Sequence, residues 1–257
     1  MTRQKLIGCA LALFVLATLP AAAMEDTIIN GIDVFTTPAD GTTYFEFRQE
    51  PIPAGFFCSK SKPFTGRVNL RGTPIVTADN SLRRTDTIVQ RLDDAVFNEK
   101  GVAVTRIQLR ALQLESIAPI KTACGRFNVR VKLDGDQPIT TMRILRENEN
   151  GGRFLANVGV RARVSFIPVE GKARERLEIT RSVRFQPNPK AVWSLSPRPN
   201  DVRKSGFVLV DTDADGRTDT FLPGTSNFVA GLSSDKIIYL DCHYDPGCGD
   251  HCQGPAY

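Results

Sequence analysis

The residues best suited to bind a metal ion form one short acidic segment in the C-terminal part of the sequence. Four aspartates stand here at alternating or nearly alternating positions: Asp211, Asp213, Asp215 and Asp219. Carboxylates at alternate positions turn toward one centre when the backbone coils, and Gly216 permits the sharp turn that this requires. Oxygen ligands favour a hard divalent cation, so the segment predicts a Ca²⁺ site, with the backbone carbonyl of Arg217 as a further ligand.

The pattern Asp-x-Asp-x-Asp-Gly-x-x-Asp resembles the calcium loops of EF-hand, dockerin and thrombospondin type 3 proteins. The resemblance implies side-chain ligands at the first three aspartates, a carbonyl ligand at Arg217, and Asp219 binding directly or through water. The sequence departs from the EF-hand at Leu222, where a bidentate glutamate belongs, and in its strand-like flanks at 207–210 and 220–221.

The alternative to a calcium loop is an Asp/Gly-rich hairpin turn that holds no metal. Four carboxylates within nine residues repel one another unless a cation lies between them, and this favours Ca²⁺. The missing glutamate points to weak binding, and extracellular calcium modules work at about 10⁻⁴ to 10⁻³ M. We expect a structural role for the ion rather than a signalling role.

A second group of ligand-type side chains lies in the tail at 241–252. The tail holds both histidines of the chain, His243 and His251, and three cysteines: Cys242, Cys248 and Cys252. These are zinc and copper ligand types, but their spacing matches no zinc motif with two separated ligand pairs. Thiols of an exported protein are oxidised, so disulfides are favoured over a metal here.

The other disulfide candidates are Cys58 and Cys124, which lie far from the tail and are plausible partners. Together with the tail they make five cysteines beyond residue 23. An odd number leaves one thiol free or paired elsewhere, and the spacing does not settle the connectivity.

No catalytic motif is evident. The sequence lacks a G-x-S-x-G elbow, an H-E-x-x-H motif and a phosphate-binding glycine loop, and both histidines lie in the tail. A glycosidase needs only two carboxylates, which Asp93, Asp94, Glu147 or Glu149 could supply, but nothing distinguishes them from surface acids.

The favoured function is therefore a non-catalytic extracellular module for adhesion, surface assembly or ligand binding. Two alternatives stay open: a secreted carbohydrate-active hydrolase that uses paired carboxylates, and a metal-handling protein that uses the Cys/His tail.

The N-terminal segment has the organisation of a secretory signal peptide. Arg3 and Lys5 precede an apolar run at 6–19, and Pro20 and three alanines follow, which predicts cleavage after Ala23. The run is shorter than the roughly 20 residues of a transmembrane helix. A lipobox around Cys9 is the weaker alternative, because its apolar segment follows the cysteine instead of preceding it. We expect a secreted or periplasmic protein.

Charge and composition restrict the partners. The chain has 257 residues with 33 Lys+Arg and 28 Asp+Glu, a net charge of +5 that falls to +3 when Arg3 and Lys5 are removed. The basic residues alternate with acids, whereas nucleic-acid binders concentrate them on one face. We expect an extracellular ligand or surface partner and no nucleic acid.

Apolar residues alternate with polar ones along much of the chain, which is typical of half-buried strands. The clearest strands span 127–133, 154–166 and 177–185, and shorter ones span 44–47, 68–70, 88–89, 207–210 and 237–240. The apolar phase switches twice within 102–117, which predicts a bulged strand or two strands at a bend, with a helix as the alternative.

These strands, with 20 Gly and 16 Pro in the chain, predict an all-β antiparallel β-sandwich, immunoglobulin-like or jelly-roll-like, as one large or two small sandwiches. After the signal peptide at 1–23, we expect a sandwich core at 24–190, with two sub-domains as an option. A loop-rich C-terminal region at 191–257 would carry the calcium-type loop and the Cys/His tail. The boundary is placed in the proline-rich stretches at 187–189 and 196–200.

Three further segments are the basis of a resemblance between the whole chain and other proteins. They are Phe56-Phe57, Lys-Pro-Phe-Thr-Gly at 62–66 and Thr-Asp-Thr-Ile-Val at 85–89. With them the chain is similar to uncharacterised exported bacterial β proteins, a resemblance that implies no activity.

Overall fold

The computed structural model describes residues 26–77, 82, 84–149, 151–171, 175–186, 191–194, 207–224, 228–232 and 239–243. These residues form 18 β-strands and no α-helix. The strands are β1 (Thr27–Ile28), β2 (Gly31–Phe35), β3 (Tyr44–Glu46), β4 (Arg67–Gly72), β5 (Thr87–Arg91), β6 (Ala95–Val96), β7 (Val102–Ser116), β8 (Ile120–Thr122), β9 (Gly125–Leu133), β10 (Ile139–Asn148), β11 (Gly151–Ala156), β12 (Val158–Gly171), β13 (Leu177–Gln186), β14 (Ala191–Ser194), β15 (Phe207–Val210), β16 (Thr220–Pro223), β17 (Val229–Leu232) and β18 (Tyr239–His243). The part of the chain described here has no helix long and apolar enough to cross a membrane.

Fourteen of the strands form one continuous sheet that folds into two layers sharing β7. The first layer has the order β2-β5-β7-β10-β11-β14-β17. In the second layer the pairings run β7-β4-β3-β18-β13-β12-β9 and return to β7, so that this layer closes on itself, and β8 pairs with β9. All described strand pairs are antiparallel except β3 with β18. The predicted all-β, antiparallel, sandwich-like fold is confirmed.

Strand β7 joins the layers because it changes partners along its length. Its first half pairs with β10 and β5, and its last residues pair with β9 and β4. Opposite β5, Ile88 faces Ala111 and Val89 faces Leu109, so Arg110 is the extra residue of a bulge. The bulged strand predicted for 102–117 is confirmed, and the helical alternative is wrong.

The single strand predicted over 154–166 is wrong, because the ladder breaks at Asn157. The first part belongs to β11, which pairs with β10 and β14, and the second to β12, which pairs with β9 and β13. Alternate residues from Phe154 to Phe166 are nevertheless all buried. The chain passes from one layer to the other at Asn157 while keeping the same side toward the core.

The main hydrophobic core is one cluster with members from both layers. The first layer contributes Met142, Ile144 and Phe154, and the second contributes Val131, Val164 and Phe166, among others. A smaller core lies on the opposite side of β2 and β5, where the hairpin β15–β16 covers them. Its members are Ile32, Ile75, Leu82, Ile88, Ala111, Val208, Val210 and Leu222.

Strands from the predicted C-terminal region pair directly with strands of the predicted core. β14 pairs with β11, and β18 pairs with β13 and β3. The proline-rich stretches at 187–189 and 196–200 and the predicted signal peptide at 1–23 lie outside the described residues. The predicted domain boundaries therefore stay predictions.

Candidate metal centre

The acidic segment forms the loop of the hairpin β15–β16, and we call residues 211–219 the Asp loop. Val210 pairs with Thr220 at its base, and Val208, Val210 and Leu222 anchor the hairpin in the smaller core. The amide of Asp211 donates to the carbonyl of Val76 at 3.0 Å, which fixes the start of the loop. The apolar side chains of β15 and β16 thus anchor the acidic loop to the rest of the protein.

The loop backbone coils around its own carboxylates. Asp211 accepts hydrogen bonds from the amides of Asp215 (3.2 Å) and Gly216 (3.0 Å), and Asp213 accepts one from Asp215 at 3.2 Å. Ala214 and Gly216 have positive φ angles of 59° and 95°, and glycine adopts such a φ without strain. The coil and the turn at Gly216 that the sequence predicted are both present.

Three carboxylates converge in this loop. One side-chain oxygen from each of Asp211, Asp213 and Asp215 lies within 4.8 Å of the other two. Calcium binds oxygen ligands at about 2.3–2.6 Å, so two oxygens on one ion lie at most about 5 Å apart. Asp211 is 2% exposed, whereas Asp213 and Asp215 face solvent, so an ion here would be held on one side and open to water on the other.

The other predicted ligands, Asp219 and Arg217, make different contacts. Asp219 is not in the group of three, and its carboxylate accepts a hydrogen bond from the hydroxyl of Thr220 at 3.3 Å. The amide of Arg217 donates to Asp215 at 2.7 Å. Leu222 is 1% exposed in the smaller core, which gives a packing reason why no glutamate stands at the last loop position.

Lys132 also contacts the Asp loop, and no pattern in the sequence predicted this contact. Its ammonium group donates to the carbonyl of Ala214 at 2.9 Å, across 82 positions of the chain. Lys132 is one polar residue in the alternating strand β9, so nothing in the local pattern separates it from a solvated side chain. The contact joins the loop to the second layer and places a cation beside the aspartates.

The predicted disulfide between Cys58 and Cys124 is confirmed. The Cα atoms are 6.0 Å apart, and the bond ties the loop around Cys58 to the turn between β8 and β9. Cys248, His251 and Cys252 lie outside the described residues, while the backbone of Cys242 and His243 belongs to β18. Metal binding and disulfides in the tail therefore stay predictions.

Three of the four carboxylates considered for glycoside hydrolysis are bound by other residues. Asp93 accepts two hydrogen bonds of 2.7 Å from Arg106, which hold its pKa below the usual range. Asp94 accepts from the backbone and side-chain amides of Asn30, and Glu147 pairs with Arg153. A carboxyl group with a lowered pKa is a poor general acid, and glycosidases need one with a raised pKa.

Two buried acids carry raised pKa values, and sequence reasoning missed both. Burial raises the pKa of Asp33 to about 6, although Arg91 pairs with it at 3.1 Å and acts in the opposite direction. Burial also raises the pKa of Asp86, which accepts hydrogen bonds from the amide and hydroxyl of Thr37 and the hydroxyl of Thr87. Both lie within strands or beside strand ends and face no described opening, so we assign them structural roles.

No protein-family model, curated protein or solved structure matches this chain.

Proposed function

We propose that this is an exported, non-catalytic β-sandwich protein that binds a structural Ca²⁺ in its Asp loop and serves as an adhesion, surface or ligand-binding module. One observation carries the calcium part: three carboxylate oxygens lie within 4.8 Å of one another in a loop of calcium-loop sequence. Together the three side chains bring a formal charge of −3, and a divalent cation relieves their repulsion.

The position of the loop supports a structural role for the ion. The loop joins the two strands that cover the smaller core, so ordering it restrains both β15 and β16. A ligand that binds only the folded state stabilises it, by about 2.7 kcal/mol at a hundredfold excess over its dissociation constant. Since flanking strands replace the helices of an EF-hand, we expect ion binding to order the loop and to open no groove.

The calcium proposal is tested by titration calorimetry of the full chain with CaCl₂ up to millimolar concentration. We expect one site, whose binding is abolished in Asp213→Asn. Asp136→Asn is the matched control, because it removes the same charge from an exposed position in another turn. The proposal fails if the wild type takes up no Ca²⁺, or if the two variants lose affinity equally.

The Ca²⁺ affinity of Asp219→Asn distinguishes two possible sets of ligands. If Asp219 binds the ion through water, as the loop resemblance implies, this variant weakens affinity less than Asp213→Asn does. If the three converging aspartates act alone, its affinity equals that of the wild type. In the folded hairpin the Asp219 carboxylate accepts a hydrogen bond from its neighbour Thr220 and lies outside the group of three, so we expect a weaker loss of affinity than in Asp213→Asn.

The export part of the proposal rests on the N-terminal sequence. Expression of the full gene in a bacterial host should place the protein in the periplasm or the medium, with a mature chain that starts at Met24. N-terminal sequencing of the purified protein checks the cleavage site. Recovery of the uncleaved chain from the cytoplasm would refute export while leaving the calcium test unaffected.

A further inference from the structure

Four cationic side chains meet on the solvent side of β9 and β12, and we call them the basic patch: Arg130, Lys132, Arg161 and Arg163. In the register of the two strands, Lys132 lies directly opposite Arg163 and Arg130 lies opposite Ser165. Arg161 follows on the same side of β12, two residues from Arg163. Like charges directly opposite each other destabilise a sheet, so strand pairing alone does not account for this arrangement.

One carboxylate forms ion pairs with the basic patch. Asp134 binds Arg163 and Arg161 and accepts from the hydroxyl of Thr180 at 2.8 Å, and it is the single carboxylate paired with patch residues in the described chain. In these ion pairs four cations share one carboxylate, while Glu115 of β7 lies directly opposite Arg130 and the Asp loop contacts Lys132.

The neighbouring acids have cationic partners of their own outside the patch. Glu178 binds Arg176 at 2.6 Å, and Glu115 binds Arg71 at 2.7 Å. Among the described residues, Arg130 forms no side-chain ion pair or hydrogen bond. Lys132 donates to a carbonyl and pairs with no carboxylate.

The positions beside the patch are mostly polar. The adjoining outward positions hold Asn128, Thr180 and Ser182, together with the half-buried Ile167, which lies opposite Asn128. Proteins that bind single-stranded nucleic acids add aromatic side chains on which bases stack, and membrane-surface binders add several exposed apolar side chains. These adjoining positions hold no aromatic side chain, and Ile167 is their single apolar one.

We propose that the basic patch binds an acidic polysaccharide, whose successive sulfate or carboxylate groups are engaged by Arg130 and Lys132 of β9 and by Arg161 and Arg163 of β12. Adjacent strands lie about 4.8 Å apart and alternate residues of one strand about 6.6–7 Å apart, so the cations form a flat array. Such an array suits a repeated charge along a polymer, and arginine pairs carboxylate or sulfate through two parallel hydrogen bonds. This inference rests on the ligand-binding part of the proposed function and not on its calcium loop.

The test measures binding of the full chain to heparin as a sulfated probe and to polygalacturonate as a carboxylated probe, in EDTA and at increasing salt. Arg130→Gln combined with Arg161→Gln removes two charges from the patch. Arg106→Gln combined with Arg153→Gln is the matched control, since it removes two exposed arginines from the other layer. Circular dichroism and thermal melting check that both variants fold.

We expect affinity for at least one probe that falls with salt, and a loss of at least about tenfold in the patch variant, because each lost charge contact weakens polyelectrolyte binding. The control should lose less than about threefold through net charge alone. Equal losses in both variants, or no binding at about 50 mM salt, overturn the proposal. Tighter binding of an oligothymidylate than of either polysaccharide overturns the assigned class of ligand. Because EDTA is present, a failed calcium site would leave these outcomes unchanged.

Discussion

A Cβ atom on Gly72 would lie 1.7 Å from Oδ2 of Asp86, so these two residues fit together only because one of them has no side chain. Gly72 ends β4, and Asp86 directly precedes β5. Both strands pair with the same edge of β7, one in each layer, and Gln113 stands between the two pairings. The Asp86 carboxylate therefore occupies the point where the two layers diverge.

Replacing Gly72 with alanine should destabilise the fold by about 2–4 kcal/mol, because the new methyl group must displace a buried carboxylate held by three hydrogen bonds. Urea unfolding measures the change. The double variant Gly72→Ala, Asp86→Ala provides the control: the cost of the alanine at 72 should fall by more than half once the carboxylate is gone. An equal cost in both backgrounds would show that the clash is not the cause.

The buried pair of Asp33 and Arg91 should make stability depend on pH. The folded-state pKa of Asp33 is about 6, above its ordinary value of 3.8, so folding favours the protonated form. The stabilisation that Asp33 contributes is full below about pH 4 and is lost as the pH rises through about 6. The unfolding free energy of the wild type should therefore fall relative to that of Asp33→Asn from pH 4 to pH 7, because the asparagine does not titrate. A difference that stays constant, or a carboxyl carbon resonance titrating near pH 4, would contradict this assignment.

Trp193, the only tryptophan, lies between two parallel rings and should report on this part of the core. Its ring centroid is 5.7 Å from that of Phe97 and 5.4 Å from that of Phe228, and the guanidinium of Arg91 lies over the Phe228 ring at 4.7 Å from its centroid. Phe228→Ala should cost about 3–5 kcal/mol and shift the tryptophan emission to the red. Phe221→Ala is the control, because Phe221 is 70% exposed and should change stability by less than about 0.5 kcal/mol. Similar effects of the two changes would refute the stacked arrangement.

The disulfide should contribute strongly to stability because it closes a long loop. Cys58 and Cys124 are 66 positions apart, and chain-entropy arguments give about 4 kcal/mol for a loop of this size. The variant with serine at both positions should unfold at a correspondingly lower urea concentration. A reducing agent should lower the stability of the wild type toward that of the variant and leave the variant unchanged. If the reduced wild type is as stable as the oxidised form, the bond is not made in solution.

Local patterns in the sequence predicted much of the fold, because strand alternation depends only on neighbouring residues. The alternation from Phe154 to Phe166 identified the buried side correctly, yet the break at Asn157 depends on which distant strands pair on either side. Val104 shows the same limit: it fits an apolar stripe in the sequence but is 54% exposed, since the inward residues there are Ala103 and Thr105. Strand partners and register are long-range properties that a single sequence does not show.

In the candidate site, too, the sequence predicted the local features and missed those that depend on distant strands. The coil of the Asp loop follows from spacing and Gly216, which are local, and the sequence predicted it. The contact of Lys132 with Ala214 and the approach of Lys132 to Arg163 both require the register of distant strands. In the sequence these cations are dispersed among acids, and that dispersal concealed the basic patch.

Calcium should strengthen polysaccharide binding if the Asp loop and the basic patch both act as proposed. Lys132 belongs to the patch and also touches the loop, so the loop carboxylates lie close to the cations that would hold a polyanion. Without an ion these carboxylates repel the polymer, and a bound Ca²⁺ offsets most of their charge. Heparin affinity at low salt should therefore rise by about two- to tenfold on replacing EDTA with saturating CaCl₂.

Asp213→Asn should bind heparin more tightly than the wild type in EDTA and lose the response to Ca²⁺. Glu99→Gln removes an exposed charge from another turn and should keep that response. If calcium raises heparin affinity equally in Asp213→Asn and in the wild type, the ion acts through the polysaccharide and the coupling through Lys132 is refuted.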